Sequence, residues 1–127
     1  AQHLRRERGR RGVGRLTAFD RLHPAVQHHI VNSLGWQSLR PLQEAAIEPL
    51  LAGEHALLLA PTAGGKTEAA FFPLLSRMLE EQWSGLGLLY VCPLRALLNN
   101  LSLRLEHYGR LLGRRVDLWH GDVSNSA

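Results

Sequence analysis

The sequence has little of three residue types: its 127 residues include one cysteine, one methionine and one lysine. Because Cys92 is the only cysteine, a disulfide bond within the chain is excluded, and such low cysteine usage is typical of an intracellular protein. No apolar run approaches the roughly 18 residues that a membrane-spanning helix needs. The Arg-rich beginning lacks the apolar segment of a secretory signal. These absences predict a cytoplasmic (intracellular) location.

The composition excludes wholesale disorder. Hydrophobic residues make up 45% of the chain and charged residues 20%, both close to ordinary globular usage. The length allows one small domain with one modest core.

The positive charge is concentrated at the beginning of the chain. Residues 1–15 hold six arginines and one acidic residue, whereas the other 112 residues hold nine Lys+Arg and ten Asp+Glu, so a segment of +5 precedes a body of −1. We interpret residues 1–15 as a disordered basic arm. Such an arm predicts a polyanionic partner, most often nucleic acid, although a solvated flexible tail explains the charge equally well.

Hydrophobic patterning predicts an α/β fold. Helices are predicted to begin at Pro24 and Pro41, and further helices to cover 66–82 and 95–112, while apolar runs predict strands at 55–60, 86–92 and 115–119. Strands about 30 residues apart with helices between them are typical of right-handed βαβ units. The expected architecture is a parallel sheet with helices on both faces, preceded by two helices.

Residues 60–67 read A-P-T-A-G-G-K-T, which fits the Walker A phosphate loop with Ala60 in place of the usual first glycine. In such a loop, backbone N–H groups and the N-terminus of the next helix point at one anion. Lys66 would reach the β- and γ-phosphates, and the Thr67 hydroxyl would ligate Mg²⁺. These two residues are the predicted catalytic residues, with Thr67 as the metal ligand through ATP. Arginine serves at 14 of the 15 basic positions, so the single lysine stands where a compact point charge is needed.

The residues around the loop resemble the first RecA-like domain of a superfamily 2 helicase of the DEAD/DEAH-box type, and within that group the large helicase-related ATPases. Residues 60–70 are similar to helicase motif I, whose common form is A-P-T-G-S-G-K-T-E-A-A; Ala63 and Gly64 depart from it. Residues 35–43 resemble the Q motif, in which Gln43 would read adenine while Trp36 or Phe19 stacks nearby. The resemblance implies ATP and Mg²⁺ as cofactors. It implies these nucleotide-binding residues: Trp36, Gln43, Thr62, Ala63, Gly64, Gly65, Lys66, Thr67 and Glu68.

Two further segments resemble nucleic-acid contacts of the same family. Residues 90–100 are similar to motif Ia, which places Pro93 and Arg95 at the backbone of DNA or RNA, and residues 120–124 look like an H-G-D-x-S motif containing Gly121. DNA and RNA are both left open.

ATP hydrolysis requires an acidic residue at the end of another apolar strand, where it holds Mg²⁺ and places the attacking water. The sequence has no acidic residue in such a position. No Asp-Glu pair follows an apolar run in this sequence. We therefore interpret residues 16–127 as the N-terminal part of a RecA-like helicase ATP-binding domain that ends before the DEAD/DEAH box and is inactive alone. The parent enzyme would be an ATP-dependent helicase whose second RecA-like domain is a further partner.

Two alternatives stay open. One is a fragment of a P-loop kinase of a small substrate, which would have no adenine-reading segment before the loop. The other is a non-catalytic nucleic-acid-binding module whose binding would not depend on Lys66.

Overall fold

A computed structural model describes residues 17–61, 65–93 and 95–119 of the chain. The predicted arm, residues 1–15, lies outside the described residues. The described residues belong to two units, one within Ala1–Gly87 and the other within Leu88–Ala127.

The first unit begins with a helical segment in three parts. A 3-10 turn, Phe19–Arg21, leads into helix α1, Pro24–His28, which continues as a π-helical turn, His29–Ser33. The His23 Nδ1 accepts a hydrogen bond from the Ala25 backbone N–H at 3.0 Å, which caps α1. The predicted helix that starts at Pro24 is thus confirmed.

Helices α2, Pro41–Leu51, and α3, Lys66–Glu80, pack against each other and form the main body of this unit. They run in the same direction, because Gln43 in the first turn of α2 contacts Gly65 before α3, and Gly53 beyond the end of α2 lies beside Arg77 of α3. The buried apolar side chains come from both helices and from the segment before them: Phe19, Leu22, Val26, Ile30, Val31, Leu39, Ala46, Ile47, Ala69, Phe71, Phe72 and Leu75.

Hydrophobicity alone predicts an inward stripe along α2 formed by Leu42, Ala45, Ala46, Pro49 and Leu50. This prediction is partly wrong. Leu42 and Leu50 are only half-buried and Ala45 is exposed, whereas Gln43, Ala46 and Ile47 face the core. The inward face of α2 therefore starts at the polar residue Gln43 and continues three and four residues later. Hydrophobicity alone does not identify Gln43 as part of this face.

A buried hydroxyl joins the N-terminal segment to α3. The Ser76 side chain is 0% exposed, and its Oγ accepts a hydrogen bond from the His23 backbone N–H. This bond satisfies a backbone donor at the start of α1 that the helix itself leaves without a partner.

The predicted parallel sheet with helices on both faces is wrong. The described residues contain no strand and no sheet, and the three apolar runs at 55–60, 86–92 and 115–119 form no hydrogen-bonded ladder. Six of their large side chains are 73–82% exposed: Leu57, Leu59, Leu86, Leu89, Val91 and Trp119.

The physical reason lies in how each element closes its hydrogen bonds. A helix pairs groups four residues apart, so a local pattern suffices to predict it. A parallel strand needs a second strand that a whole crossover brings alongside, and an apolar run carries no information about that partner. The helical predictions hold for this reason, while the predicted pairing of the strands does not.

The second unit contains helix α4, Arg95–Leu111, as predicted. Among its described side chains, the buried hydrophobic ones are Leu101, Leu105 and Tyr108, at helical spacing. The chain turns back tightly after α4, because a Cβ at Gly109 would lie 2.8 Å from the Arg114 carbonyl oxygen.

Three helices end in the same hydrogen-bonded motif. After α2, α3 and α4, the backbone N–H of the second residue past the cap donates to a carbonyl five residues earlier, as in Glu54 to Pro49, Trp83 to Met78 and Arg114 to Gly109. The motif needs one residue in the left-handed conformation. This residue is a glycine after α2 and after α4, namely Gly53 and Gly113. After α3 it is Gln82, with a φ of 52°.

We expect Gln82→Gly to raise the free energy of unfolding by about 0.5–1 kcal/mol, because glycine adopts the left-handed conformation without the Cβ penalty. Urea unfolding of the two chains measures the difference. The matched control is Gly53→Ala, which places a Cβ at an equivalent left-handed position and should lower stability by about 1 kcal/mol. A less stable Gln82→Gly variant would contradict this account of the α3 terminus.

Candidate phosphate-binding site

The predicted phosphate loop lies between residues 55–60, which form neither a helix nor a strand, and α3. Thr62, Ala63 and Gly64 lie outside the described residues. Gly65 precedes the helix in a left-handed conformation, with φ 73° and ψ 31°, and Lys66 is the first helical residue. The chain therefore enters α3 through a backbone geometry that favours glycine.

Lys66 bridges the two sides of this loop. Its Nζ donates a hydrogen bond to the carbonyl oxygen of Ala60 at 3.1 Å, while its backbone begins α3. The side chain is exposed, so the ammonium group is held at the loop and is accessible to an incoming anion. The N-terminus of a 15-residue helix adds its partial positive charge at the same place.

The next two residues lie in the first turn of α3. Thr67 is half-buried, and its hydroxyl is an oxygen donor of the kind that Mg²⁺ prefers. Glu68 is buried, with 6% of its surface exposed, and its carboxylate lies near the positive end of the helix dipole. Thr67 thus fits the predicted metal-ligand role, and a role of Glu68 at the nucleotide stays a prediction.

Gln43 is positioned directly against the loop. Its Oε1 accepts a hydrogen bond from the Arg40 backbone N–H at 2.9 Å, and its Nε2 donates to the Gly65 carbonyl oxygen at 3.4 Å. A Cβ at Gly65 would lie 2.5 Å from this Nε2. Sequence reasoning placed Gln43 near the nucleotide but missed its contact with Gly65, which follows from the parallel arrangement of α2 and α3.

The two aromatic candidates occupy different environments. The Trp36 ring is half-buried and packs edge-to-face on Phe72 of α3, with ring centroids 5.4 Å apart. Phe19 is 1% exposed and belongs to the core. Of the two rings, Trp36 is therefore the one with surface to offer a ligand.

The predicted nucleic-acid residues fall in the second unit or outside the described residues. Pro93 is exposed and lies just before α4, and Arg95 is the first residue of α4. The Arg95 side chain and all of Gly121 lie outside the part of the chain that the structure describes.

Within the described ranges, no group of three or more His, Cys, Asp or Glu residues is arranged to hold a metal ion. No helix there is both long enough and apolar enough to cross a membrane.

The DEAD/DEAH box helicase family model matches residues 40–127 of the chain, from the residue that caps α2 onward. The chain belongs to this family. The match includes Gln43, the phosphate loop and the segment around Arg95, so the family assignment covers most of the predicted site. No solved structure matches the chain with significance.

The chain is similar to several curated DEAD-box RNA helicases. It is 37% identical to DEAD-box ATP-dependent RNA helicase 57 of Oryza sativa over 76% of this chain and 18% of the relative. It is 33% identical to DEAD-box ATP-dependent RNA helicase 51 of Arabidopsis thaliana over 68% of this chain and 16% of the relative. It is also 33% identical to ATP-dependent RNA helicase DbpA of Escherichia coli over 76% of this chain and 21% of the relative.

The matches cover about a fifth or less of the length of these relatives. The narrower resemblance to the large helicase-related ATPases stays a prediction.

We expect Gly65→Ala to destabilise the chain for two separable reasons. The left-handed φ of 73° penalises a Cβ, and that Cβ would displace the Gln43 amide. In a Gln43→Ala background the second cost disappears, so Gly65→Ala should cost about 0.5–1.5 kcal/mol less there than in the natural chain.

Urea unfolding of the four chains measures this coupling. Gly35→Ala is the matched control, because Gly35 has a φ of 70° but no atom within 4 Å of an added Cβ, and its cost should be equal in both backgrounds. Strict additivity of Gly65→Ala and Gln43→Ala would show that the two residues do not interact.

Proposed function

We propose that this chain is the ATP-binding segment of an ATP-dependent RNA helicase. The observation that carries the proposal is the placement of Lys66, whose exposed ammonium group lies at the N-terminus of α3 and bonds to Ala60 across the loop. Family membership supports helicase chemistry for the parent protein. The relatives are named RNA helicases, which favours RNA over DNA as the nucleic acid.

Residues 62–67 would hold the triphosphate. Lys66 would neutralise charge on the β- and γ-phosphates, and the backbone N–H groups at the start of α3 would donate to phosphate oxygens. Thr67 would contribute its hydroxyl oxygen to Mg²⁺, which when bound neutralises phosphate charge during phosphoryl transfer. The half-buried position of Thr67 next to Lys66 supports this role.

Gln43 and Trp36 would bind the base. An amide both donates and accepts, so Gln43 matches the N6 and N7 edge of adenine. The Trp36 ring offers a partly exposed aromatic surface nearby in sequence. The Q-like segment and the family match both count against the alternative of a small-substrate kinase.

Pro93, Arg95 and Gly121 are proposed RNA-backbone contacts, and the arginines of residues 1–15 would add phosphate contacts. Coupling of ATP turnover to movement on RNA would need further parts of the helicase, including a second RecA-like domain and the acidic box. For this chain by itself we propose nucleotide binding without turnover. The intracellular location also stays a prediction.

We expect Lys66→Ala to weaken ATP binding strongly. Removing one partner of a charged, partly desolvated contact costs roughly 2–5 kcal/mol, which corresponds to about 30- to 4,000-fold in affinity. Titration calorimetry of the 127-residue chain with Mg²⁺ and ATP measures the loss, and phosphate release should stay at the buffer rate in both chains.

Arg77→Ala is a suitable control, because Arg77 lies on the same helix but bonds to Glu81 near its other end. Equal ATP affinity of Lys66→Ala and the natural chain would contradict the phosphate-loop assignment.

We expect the basic arm to contribute salt-dependent RNA affinity. Log affinity for single-stranded RNA falls with log salt concentration by roughly 0.7 for each phosphate contact. Replacing the six arginines of the arm with glutamine should therefore make this negative slope shallower by up to about 4. Fluorescence anisotropy with a labelled single-stranded RNA at several salt concentrations measures the slope. An unchanged slope would identify the arm as a solvated tail, and ATP affinity should be unaffected in either case.

A further inference from the structure

Helix α4 has an exposed face that the proposed function does not use. Its buried hydrophobic residues, Leu101, Leu105 and Tyr108, lie along one side of the helix. The opposite side is exposed, and helical spacing places its residues next to one another. We call the following five residues the outer face of α4: Asn100, Leu103, Arg104, His107 and Arg110.

We propose that the outer face of α4 binds the phosphate backbone of a single-stranded RNA, as a contact surface separate from the segment around Arg95 and from the basic arm. The inference rests on the proposed function, because it takes RNA to be the nucleic acid that this chain binds. At a rise of about 1.5 Å per residue, Arg104 lies about 14 Å further along the helix axis than Arg95. The outer face therefore extends the RNA contact along the length of α4.

The charge of the outer face is positive. Arg104 and Arg110 lie three residues before and after His107, so the three side chains are neighbours on the helix surface. Glu106 is the only acidic residue of α4, and it is half-buried at the edge of this face. Neither His107 nor Arg110 forms an ion pair with any residue in the described ranges. The charge of Arg110 is thus available to an anion from outside the chain.

Exposed arginines elsewhere in the chain bond to carboxylates instead. Arg21 pairs with Glu48 at 3.4 Å, and Arg115 pairs with Asp117 at 3.0 Å. Such pairs neutralise charge locally and leave little of it to attract a polyanion, whereas cations gathered on one helix face produce a positive potential over that surface. Helix α4 has three arginines and one glutamate, so a surplus of positive charge stays on it.

The residue types on the outer face suit a phosphate backbone. A guanidinium group offers paired N–H donors that match phosphate oxygens, and the side chains of Asn100 and His107 can each donate a further hydrogen bond. These contacts need no base edge, so they hold a strand without reading its sequence. Leu103, which is 68% exposed beside these donors, offers apolar surface to a ribose or an unstacked base.

Salt-dependent RNA binding measures the contribution of the two arginines. We would compare the natural chain with Arg104→Gln/Arg110→Gln by fluorescence anisotropy, using a labelled single-stranded RNA at several salt concentrations. Glutamine keeps a hydrogen-bond donor and removes the charge. The matched control is Arg21→Gln/Arg115→Gln, which removes the same charge from arginine side chains that are 58% and 80% exposed but already paired with carboxylates.

We expect Arg104→Gln/Arg110→Gln to bind RNA about 3- to 25-fold more weakly than the natural chain at about 0.1 M salt. The negative slope of log affinity against log salt should become shallower by about 1.4, at roughly 0.7 for each lost phosphate contact. The control should keep the slope of the natural chain, and both variants should keep its ATP affinity. A slope for Arg104→Gln/Arg110→Gln equal to that of the control would overturn the inference.

Photocrosslinking locates the bound RNA on the chain. Irradiated RNA that contains 4-thiouridine attaches covalently to side chains that it touches, and trypsin then cuts the chain after arginines. The tryptic peptide 105–110 contains His107 and is separated by the cut at Arg104 from the segment around Arg95. We expect mass spectrometry to find RNA attached to this peptide. Attachment confined to residues 1–104 would overturn the inference.

An acidic polypeptide is the competing occupant of the outer face. Labelled poly-glutamate should bind the natural chain more weakly than RNA of the same charge does. Tighter binding of poly-glutamate, lost in Arg104→Gln/Arg110→Gln, would assign the face to an acidic protein and overturn the inference. If the natural chain does not bind RNA at all, the RNA part of the proposed function fails, which is a different result from equal RNA binding by the natural chain and the variant.

Discussion

The packing of α2 against α3 is the interaction on which the described part of the N-terminal unit depends. The two helices contribute the buried side chains Ala46, Ile47, Phe72 and Leu75, and the segment before them adds Phe19 and Ile30 to the same core. Because the helices run in the same direction, their N-termini lie side by side. The first turn of α2 is thereby brought to the glycine that precedes α3, and the contact between Gln43 and Gly65 follows from this arrangement.

The site combines a buried part and an exposed part. Gln43 is enclosed by protein and bonds to backbone groups on both sides, whereas the Lys66 side chain is exposed and bonds to Ala60 across the loop. A buried, satisfied amide defines one backbone geometry, because any shift would leave a polar group without a partner. An exposed ammonium group can exchange its carbonyl partner for a phosphate at little cost. The site therefore combines Gln43, whose hydrogen bonds hold the backbone in place, with Lys66, whose bond to Ala60 a phosphate can replace.

The family assignment agrees with the phosphate-loop motif, which a short stretch of sequence is enough to identify. A phosphate loop is defined by glycines, a lysine and a hydroxyl at fixed spacing, and Gly65, Lys66 and Thr67 occupy the positions that the pattern predicts. The helices at Pro24, Pro41, 66–82 and 95–112 were predictable for the same reason, since capping residues and a 3.6-residue period act over a few residues. The parallel sheet was not predictable, because apolar runs such as 55–60 and 86–92 do not specify a pairing partner.

By itself, the sequence determined the positions of the helices, the concentration of positive charge in residues 1–15 and the placement of the only lysine directly after Gly65. These features depend on neighbouring residues, and no distant contact is needed to produce them. Only the tertiary structure decided that Gln43 faces inward and donates to Gly65, a residue 22 positions away. It also decided that the Ser76 hydroxyl accepts from His23, and that the apolar side chains at Leu57 and Leu89 are exposed. The difference is physical: helix formation closes its hydrogen bonds locally, whereas the burial of a polar side chain depends on which distant backbone groups the packing brings within reach.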